Sequence, residues 1–176
     1  MREARATITL HHVPASPSMR ALWLLGEIGL KAEIVRHSGS DPAARVPRLV
    51  DGGAVFVEPG AICEHLCEQY DPGLLWRWPG HADRPAWLEW LHFADTLTLA
   101  RTPEHLDRVE AALEGRSYLL SAGFSAVDTG IGYALWQGAC DLSRHPNVAD
   151  YVSRIEGRAA FRAACPPPDP HMPGSE

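Results

Sequence analysis

Residues 55–70, VFVEPGAICEHLCEQY, pass from a predicted strand into a predicted helix that opens with Pro59-Gly60. The strand follows RLVD across a Gly-Gly turn, which is the pattern of an antiparallel hairpin. Proline is favourable at the first helical position, because its fixed φ suits the helix and its missing N–H would have no partner there. The stretch therefore predicts a hairpin and then a strand-to-helix junction at Glu58-Pro59.

Upstream of the hairpin the sequence predicts a β-α-β unit. The strands are expected in ATITLHH and KAEIVRHS, and the helix between them in MRALWLLGEIGL, with Gly29 as its C-cap. A crossover of this kind favours parallel strands. A parallel pair followed by an antiparallel hairpin and a helix predicts a thioredoxin-like α/β half.

Downstream, the segment DPGLLWRWPGHADRP is rich in Pro and Gly and is predicted to be a linker, after which the strand pattern ends. AWLEWLHFADTLTLA and PEHLDRVEAALEG each place apolar side chains on one helical face. Two further helices are predicted over residues 125–142 and 147–164. Ser125 is expected to cap the first of these, with Asp128 reaching back to the Ser125 N–H as in a capping box.

The predicted fold is thus an α/β N-terminal thioredoxin-like domain followed by an all-α C-terminal domain. We expect the first domain over residues 1–72 and the second over residues 82–165. Residues 166–176, PPPDPHMPGSE, are expected to form a disordered tail.

Composition excludes several classes of partner. The 176-residue chain is 45% hydrophobic and 22% charged, as in globular proteins, and its formal net charge of −6 gives no electrostatic reason to bind nucleic acid or an anionic membrane. It shows no signal-type or bilayer-spanning apolar run. Its 4 cysteines have neither C-x-x-C nor paired zinc spacing. We therefore expect a cytoplasmic protein with reduced thiols, no metal, and no nucleic-acid or membrane partner.

Four stretches, in this order, resemble the glutathione transferase (GST) family: ASPSMRALWLLGEIGL, DPAARVPRLVDGGAVFVEPGAI, WLEWLHFAD, and FSAVDTGIGYAL followed by HPNVADYVSRIEGRAAF. Each alone is a weak motif, but together they cover most of the chain, from roughly residue 6 to residue 164. The resemblance is to a shortened, serine-type protein of the bacterial or theta-like kind. It implies the GST fold, glutathione as co-substrate, and a small electrophilic or hydrophobic molecule as the second substrate.

The resemblance implies that a hydroxyl just before the first helix stabilises the thiolate of glutathione. Ser16, four residues before Arg20, matches that position and is the predicted catalytic residue. Ser18 is the alternative donor if the helix starts later. Either serine can instead serve only as a helix cap.

The resemblance also implies a peptide-binding segment at Arg45-Val46-Pro47, whose proline is cis in the family. Val46 would offer its N–H and C=O to the cysteinyl part of glutathione, as an added strand does. Arg45 would assist at the glycyl carboxylate as a forked donor. A structural role alone remains open for Pro47, because thioredoxin-like domains keep such a proline without this ligand.

At the opening stretch, the family commonly has Glu-Ser where this chain has Glu58-Pro59. Glu58 matches the acid that meets the γ-glutamyl ammonium group. Pro59 has neither the hydroxyl nor the N–H that would hold the γ-glutamyl carboxylate at the helix N-terminus. Each such hydrogen bond is worth about 1.5–3 kcal/mol, so we expect weakened glutathione binding.

Two readings of function follow from the sequence. In the first, the chain is a glutathione transferase that conjugates glutathione to a small electrophile or uses its thiolate in an isomerisation or reductive step. In the second, it is a non-catalytic GST-fold binding or interaction module with weak or no glutathione binding. The segment before DPAARVP and the first two helices of the second half are short compared with the family pattern. Those helices usually build part of the electrophile pocket and the dimer contact, so the electrophile and the formation of a homodimer both stay open.

Overall fold

The computed structural model describes residues 7–39, 46–138 and 140–165. Its first half contains β1 Thr9–His12, α1 Ser18–Ile28, β2 Glu33–Arg36, β3 Arg48–Asp51, β4 Ala54–Phe56 and α2 Pro59–Tyr70. Its second half contains α3 Arg84–Leu99, α4 Pro103–Ala112, α5 Ala126–Gln137, α6 Pro146–Glu156 and α7 Ala159–Ala164. The tail 166–176 and Arg45 lie outside the described residues. None of the described helices is long and apolar enough to cross a membrane.

The four strands form one mixed sheet in the order β2-β1-β3-β4. Strand β1 pairs in parallel with β2 and antiparallel with β3, and β3 pairs antiparallel with β4. The predicted β-α-β unit and hairpin are therefore confirmed. Gly29 ends α1 with a left-handed φ of 74°, as its C-cap assignment requires.

The helical half is built around α5, which is buried from Ala126 to Leu135. Helix α3 packs closely against it: a Cβ on Gly130 would lie 2.8 Å from the Cβ of Ala94 and 2.9 Å from a guanidinium nitrogen of Arg20. Only a residue without a side chain fits between these groups. The two halves are thus joined by a tight contact that also encloses Arg20.

The α5 start has the predicted capping arrangement. The Asp128 carboxylate accepts a hydrogen bond from the Ser125 N–H at 2.8 Å and another from the Leu119 N–H at 3.3 Å. The Tyr151 hydroxyl donates to the same carboxylate at 3.0 Å. Asp128 therefore joins α5 to α6 and to the loop before it.

The prediction of a single helix over residues 147–164 is wrong, because the chain breaks between α6 and α7. Gly157 follows the last residue of α6, and Arg158 is extended, with φ −76° and ψ 135°. This conformation lets the Arg158 guanidinium donate two hydrogen bonds of 2.7 Å to Glu27 on α1. At this point the ion pair between the two halves stabilises an extended backbone, although the apolar periodicity favours a continuous helix. Helix α5 also ends earlier than predicted, at Gln137.

Candidate functional site

One edge of the sheet gathers the three segments predicted to form the site. His11, near the end of β1, lies opposite Arg48 at the start of β3, and Leu49 lies opposite Phe56 at the end of β4. The loop before α1, the segment before β3 and the junction before α2 therefore all leave the sheet at the same edge. The sequence-predicted residues within the described part of the chain, namely Ser16, Val46, Pro47, Glu58 and Pro59, share this edge.

The α1 start carries a dense hydrogen-bond network. The Ser16 hydroxyl donates to the Val13 carbonyl at 2.7 Å and lies 2.6 Å from the Ser18 hydroxyl. The Ser18 hydroxyl lies 2.8 Å from Nδ1 of His12 and accepts from the Val13 N–H at 3.1 Å. Ser18 is fully buried, whereas Ser16 is partly exposed. Of the two candidate serines, only Ser16 has exposed surface that a ligand can contact without opening the fold.

His12 is the buried end of this network, with 2% of its surface exposed. Burial, and secondarily the charge of Arg36, lowers the pKa of His12 to about 4. The imidazole is therefore neutral at neutral pH and carries one N–H. His12 was not among the residues predicted for the site. The sequence offers one sign of this role: His12 is a polar residue on the core-facing side of β1, two positions after Leu10, which is buried.

The segment before β3 has the cis Val46-Pro47 peptide bond that the resemblance implies. Pro47 is buried and Val46 is half-buried, so Val46 lies at the surface of the edge. Within the described residues this leaves Val46 as the part of the segment that a ligand can approach.

The α2 start has fewer hydrogen-bonding side chains than the α1 start. Glu58 is exposed and extended, and Pro59 is the first helical residue. The first helical hydrogen bond is donated by the Ile62 N–H to the Glu58 carbonyl at 2.9 Å. The N–H groups of Gly60 and Ala61 precede that bond and point out of the helix start. Backbone donors are thus present one and two residues later than in a Glu-Ser junction.

Asp95 is a site residue that sequence reasoning missed. Its carboxylate forms an ion pair with buried Arg20, which links α3 to α1. A Cβ on Gly60 would lie 3.8 Å from Oδ2 of Asp95 and 4.0 Å from Nδ1 of His92. The side chain of Asp95 is 43% exposed, so a second acid, besides Glu58, is accessible beside the α2 start. A buried arginine requires an acidic partner, but no local pattern in the sequence pairs Asp95 with Arg20, 75 residues earlier.

The chain is similar to known proteins over most of its length. The family model described as glutathione S-transferase, N-terminal domain, matches residues 10–73. Glutathione S-transferase 3 of Schizosaccharomyces pombe is 30% identical over an alignment 208 positions long, gaps included, which covers 89% of this chain and 86% of that protein.

Two solved structures give the same result. A glutathione S-transferase of Actinobacillus pleuropneumoniae has a TM-score of 0.80 at 22% identity, covers 90% of this chain and 91% of its own, and supports the fold. A theta class glutathione S-transferase of Xanthomonas axonopodis pv. citri with glutathione bound has a TM-score of 0.71 at 25% identity, covering 92% and 98%. The chain therefore belongs to the glutathione S-transferase family.

Proposed function

We propose that this protein is a glutathione transferase that adds the glutathione sulfur to a small electrophile. The observation that carries the proposal is the partly exposed Ser16 hydroxyl at the start of α1, on the same sheet edge as cis Val46-Pro47 and Glu58. A donor at this place favours the thiolate over the thiol, and the positive end of the α1 dipole adds to the effect. The relatives named above support the same ligand.

The reaction needs only ionisation of the glutathione thiol and correct placement of its sulfur beside the electrophile. A free thiol with a pKa of about 8.5 is mostly protonated at neutral pH. In the proposed site the thiol gives its proton to solvent, and Ser16 donates a hydrogen bond to the resulting thiolate. The sulfur lone pair then forms the bond to the electrophilic carbon, and a leaving group departs with its bonding pair or, in an addition, the carbon skeleton accepts the electrons.

The peptide part of glutathione would be held by four groups. Val46 would pair with the cysteinyl backbone as an added strand, and Arg45 would meet the glycyl carboxylate. Glu58 would accept from the γ-glutamyl ammonium group. The γ-glutamyl carboxylate would depend on the Gly60 N–H and the α2 dipole, because Pro59 supplies no donor.

A non-catalytic GST-fold binding module is the second candidate, and Pro59 is the observation that favours it. The α4 helix, only 10 residues long, also leaves little wall for an electrophile pocket. In this case glutathione would bind weakly or not at all, and no conjugation would follow.

Thermal denaturation with and without several millimolar glutathione tests the proposal. A ligand that binds only the folded state raises the midpoint by mass action. We expect a rise that increases with glutathione concentration, together with conjugation of chlorodinitrobenzene. No rise at several millimolar would overturn the transferase proposal, and a rise without any conjugation would favour the binding module.

Cytoplasmic location and homodimer formation belong to the same proposal. The four cysteines are free thiols, which agrees with a reducing compartment. Val55, Val57 and Leu99 are exposed apolar side chains that a second copy could cover, Leu99 being 88% exposed. Light scattering on the purified protein would give twice the chain mass for a dimer and the chain mass if the dimer proposal is wrong.

A further inference from the structure

The chain of side chains behind Ser16 is more elaborate than a helix cap requires. Nδ1 of His12, the Ser18 hydroxyl and the Ser16 hydroxyl follow one another at 2.8 Å and 2.6 Å. The chain runs from a buried imidazole to the only one of the three groups that is partly exposed. It therefore connects the interior of the sheet domain to the proposed thiol site.

His12 occupies a position where an apolar side chain would be the ordinary choice. It lies on the same face of β1 as Leu10, which is fully buried. A buried imidazole stabilises the fold only if its polar atoms are hydrogen-bonded. Capping of α1 needs no imidazole, since the Ser18 N–H already donates to Oγ of Ser16 at 3.3 Å.

His12 affects the network by occupying either a lone pair or the hydrogen of the Ser18 hydroxyl. A serine hydroxyl has one hydrogen to donate and two lone pairs to accept with. The Val13 N–H occupies one lone pair of Ser18. If the imidazole hydrogen is on Nδ1, His12 occupies the other, and Ser18 must donate its own hydrogen. Ser16 is its nearest acceptor, at 2.6 Å against 3.1 Å for the Val13 carbonyl.

In that arrangement Ser16 cannot donate inward to Ser18, because both lone pairs of Ser18 are taken. The Ser16 hydrogen then rests on the Val13 carbonyl until a thiolate is present, and rotation about one bond turns it outward. With the hydrogen on Nε2 of His12 instead, Ser18 would donate to Nδ1 and accept from Ser16. The position of one hydrogen on His12 thus decides whether Ser18 competes with a thiolate for the Ser16 hydrogen.

We propose that His12 is a positioning residue that donates from Nδ1 to Ser18 and so directs the Ser16 hydroxyl hydrogen toward the bound thiolate. The proposal rests on the proposed function, since it concerns the glutathione thiolate. Successive donors in such a chain also polarise one another, so Ser16 becomes a stronger donor than an isolated serine. Neither His12 nor Ser18 touches the ligand.

Two matched substitutions at His12 test this direction. In His12→Asn the amide nitrogen can take the place of Nδ1 and keep a donor to Ser18. In His12→Gln the longer side chain places its nitrogen near the position of Nε2. The ultraviolet absorbance of the thiolate, titrated against pH with glutathione bound, reports the pKa of the bound thiol. Affinity for S-methylglutathione, which has no ionisable thiol, reports the integrity of the peptide site.

We expect His12→Asn to keep the thiol pKa of the wild type. His12→Gln should raise it by about one unit, which is about a tenfold fall in thiolate fraction below that pKa. S-methylglutathione affinity should be unchanged in both. Ser18→Ala should raise the thiol pKa, and Ser18→Thr should restore it. These two Ser18 variants test the proposal if a His12 variant does not fold.

Equal thiol pKa values in the wild type, His12→Gln and Ser18→Ala would overturn the proposal while leaving the transferase function intact. A parallel loss of S-methylglutathione affinity would show a merely structural role and would also overturn it. Failure of the proposed function gives a different result, because the wild-type protein would then bind neither glutathione nor S-methylglutathione.

Discussion

The starts of α1 and α2 lie at the same edge of the sheet but differ in the polar groups that they carry. At α1, the hydroxyls of Ser16 and Ser18 are joined to each other and to His12. At α2, Pro59 removes both a hydroxyl and an N–H from the position next to Glu58. One helix start therefore carries hydroxyl groups besides its backbone N–H groups, and the other has only the backbone N–H groups that follow the proline.

This difference separates two tasks that a glutathione site must perform. The α1 network bears on ionisation of the sulfur, and the α2 start bears on the grip on the γ-glutamyl carboxylate. In the proposed site the first task is retained and the second is weakened. Rate at saturating glutathione and affinity for glutathione should therefore respond to different substitutions.

The largest expected effect comes from a third helix start, at α5, which serves as a purely structural reference. Asp128→Ala leaves the N–H groups of Ser125 and Leu119 without their acceptor and leaves the Tyr151 hydroxyl only the longer contact, 3.4 Å, to the carbonyl of residue 128. Because each unpaired buried group costs about 1–3 kcal/mol, the free energy of unfolding should fall by about 3 kcal/mol or more. Urea denaturation measures this loss. A variant as stable as the wild type would show that the network is dispensable.

The same carboxyl gives a pH dependence of nearly the same size. Burial raises the pKa of Asp128 to about 6, although hydrogen bonds from the Ser125 and Leu119 N–H groups oppose the rise. The folded state therefore favours the protonated form. Its stabilising contribution is complete below the unfolded-state pKa, about 3.9, and is lost as the pH rises through about 6. The total loss is about 3 kcal/mol.

Urea denaturation of the wild type and Asp128→Asn at several pH values isolates this contribution. The unfolding free energy of the wild type minus that of the variant should decrease as the pH rises from about 4 to 7. A difference that stays constant over this range would mean that Asp128 titrates alike in the folded and unfolded states.

At the α1 start, Ser16→Ala should lower turnover by about 10- to 100-fold, the value of one hydrogen bond to a charged group. Affinity for S-methylglutathione should change little, because the thioether offers no thiolate. Steady-state conjugation of chlorodinitrobenzene measures the first, and calorimetry the second. Ser153→Ala, on the exposed side of α6, is the matched control. Unchanged turnover in Ser16→Ala would remove the proposed role of Ser16.

At the α2 start, Pro59→Ser and Pro59→Ala should increase affinity for glutathione without changing turnover at saturation. Alanine restores the N–H, and serine restores both the N–H and the hydroxyl. We expect the dissociation constant to fall by about tenfold or more in Pro59→Ser and by less in Pro59→Ala. Calorimetric titration gives both constants. If neither variant binds more tightly, the α2 start does not hold the γ-glutamyl carboxylate.

Most of the fold and part of the site follow from local patterns in the sequence. Gly29, Pro59 and the Ser125-Asp128 pair determine helix ends through short-range geometry, and each was found in its predicted place. The break between α6 and α7 has a local signal in Gly157, but the pairing of Arg158 with Glu27, more than a hundred residues earlier in the chain, has none.

The same limit applies within the site. Asp95 belongs to it only because α3 packs beside α1 and brings the carboxylate to Arg20. His12 belongs to it because the loop before α1 folds back and places Ser18 against β1. Both contacts are made by tertiary packing, which hydrophobic periodicity and motif spacing do not encode. Arg45, predicted at the glycyl carboxylate, lies outside the described residues and stays a prediction.

The thiol pKa of bound glutathione, compared between the wild type and Pro59→Ser, tests the central claim most directly. Ultraviolet titration at saturating glutathione should give the same value for both proteins, at least one unit below the ordinary value of about 8.5. The dissociation constants of the two proteins should differ at the same time. A bound thiol that titrates like free glutathione, or a pKa that shifts together with affinity in Pro59→Ser, would contradict the separation of ionisation at α1 from grip at α2.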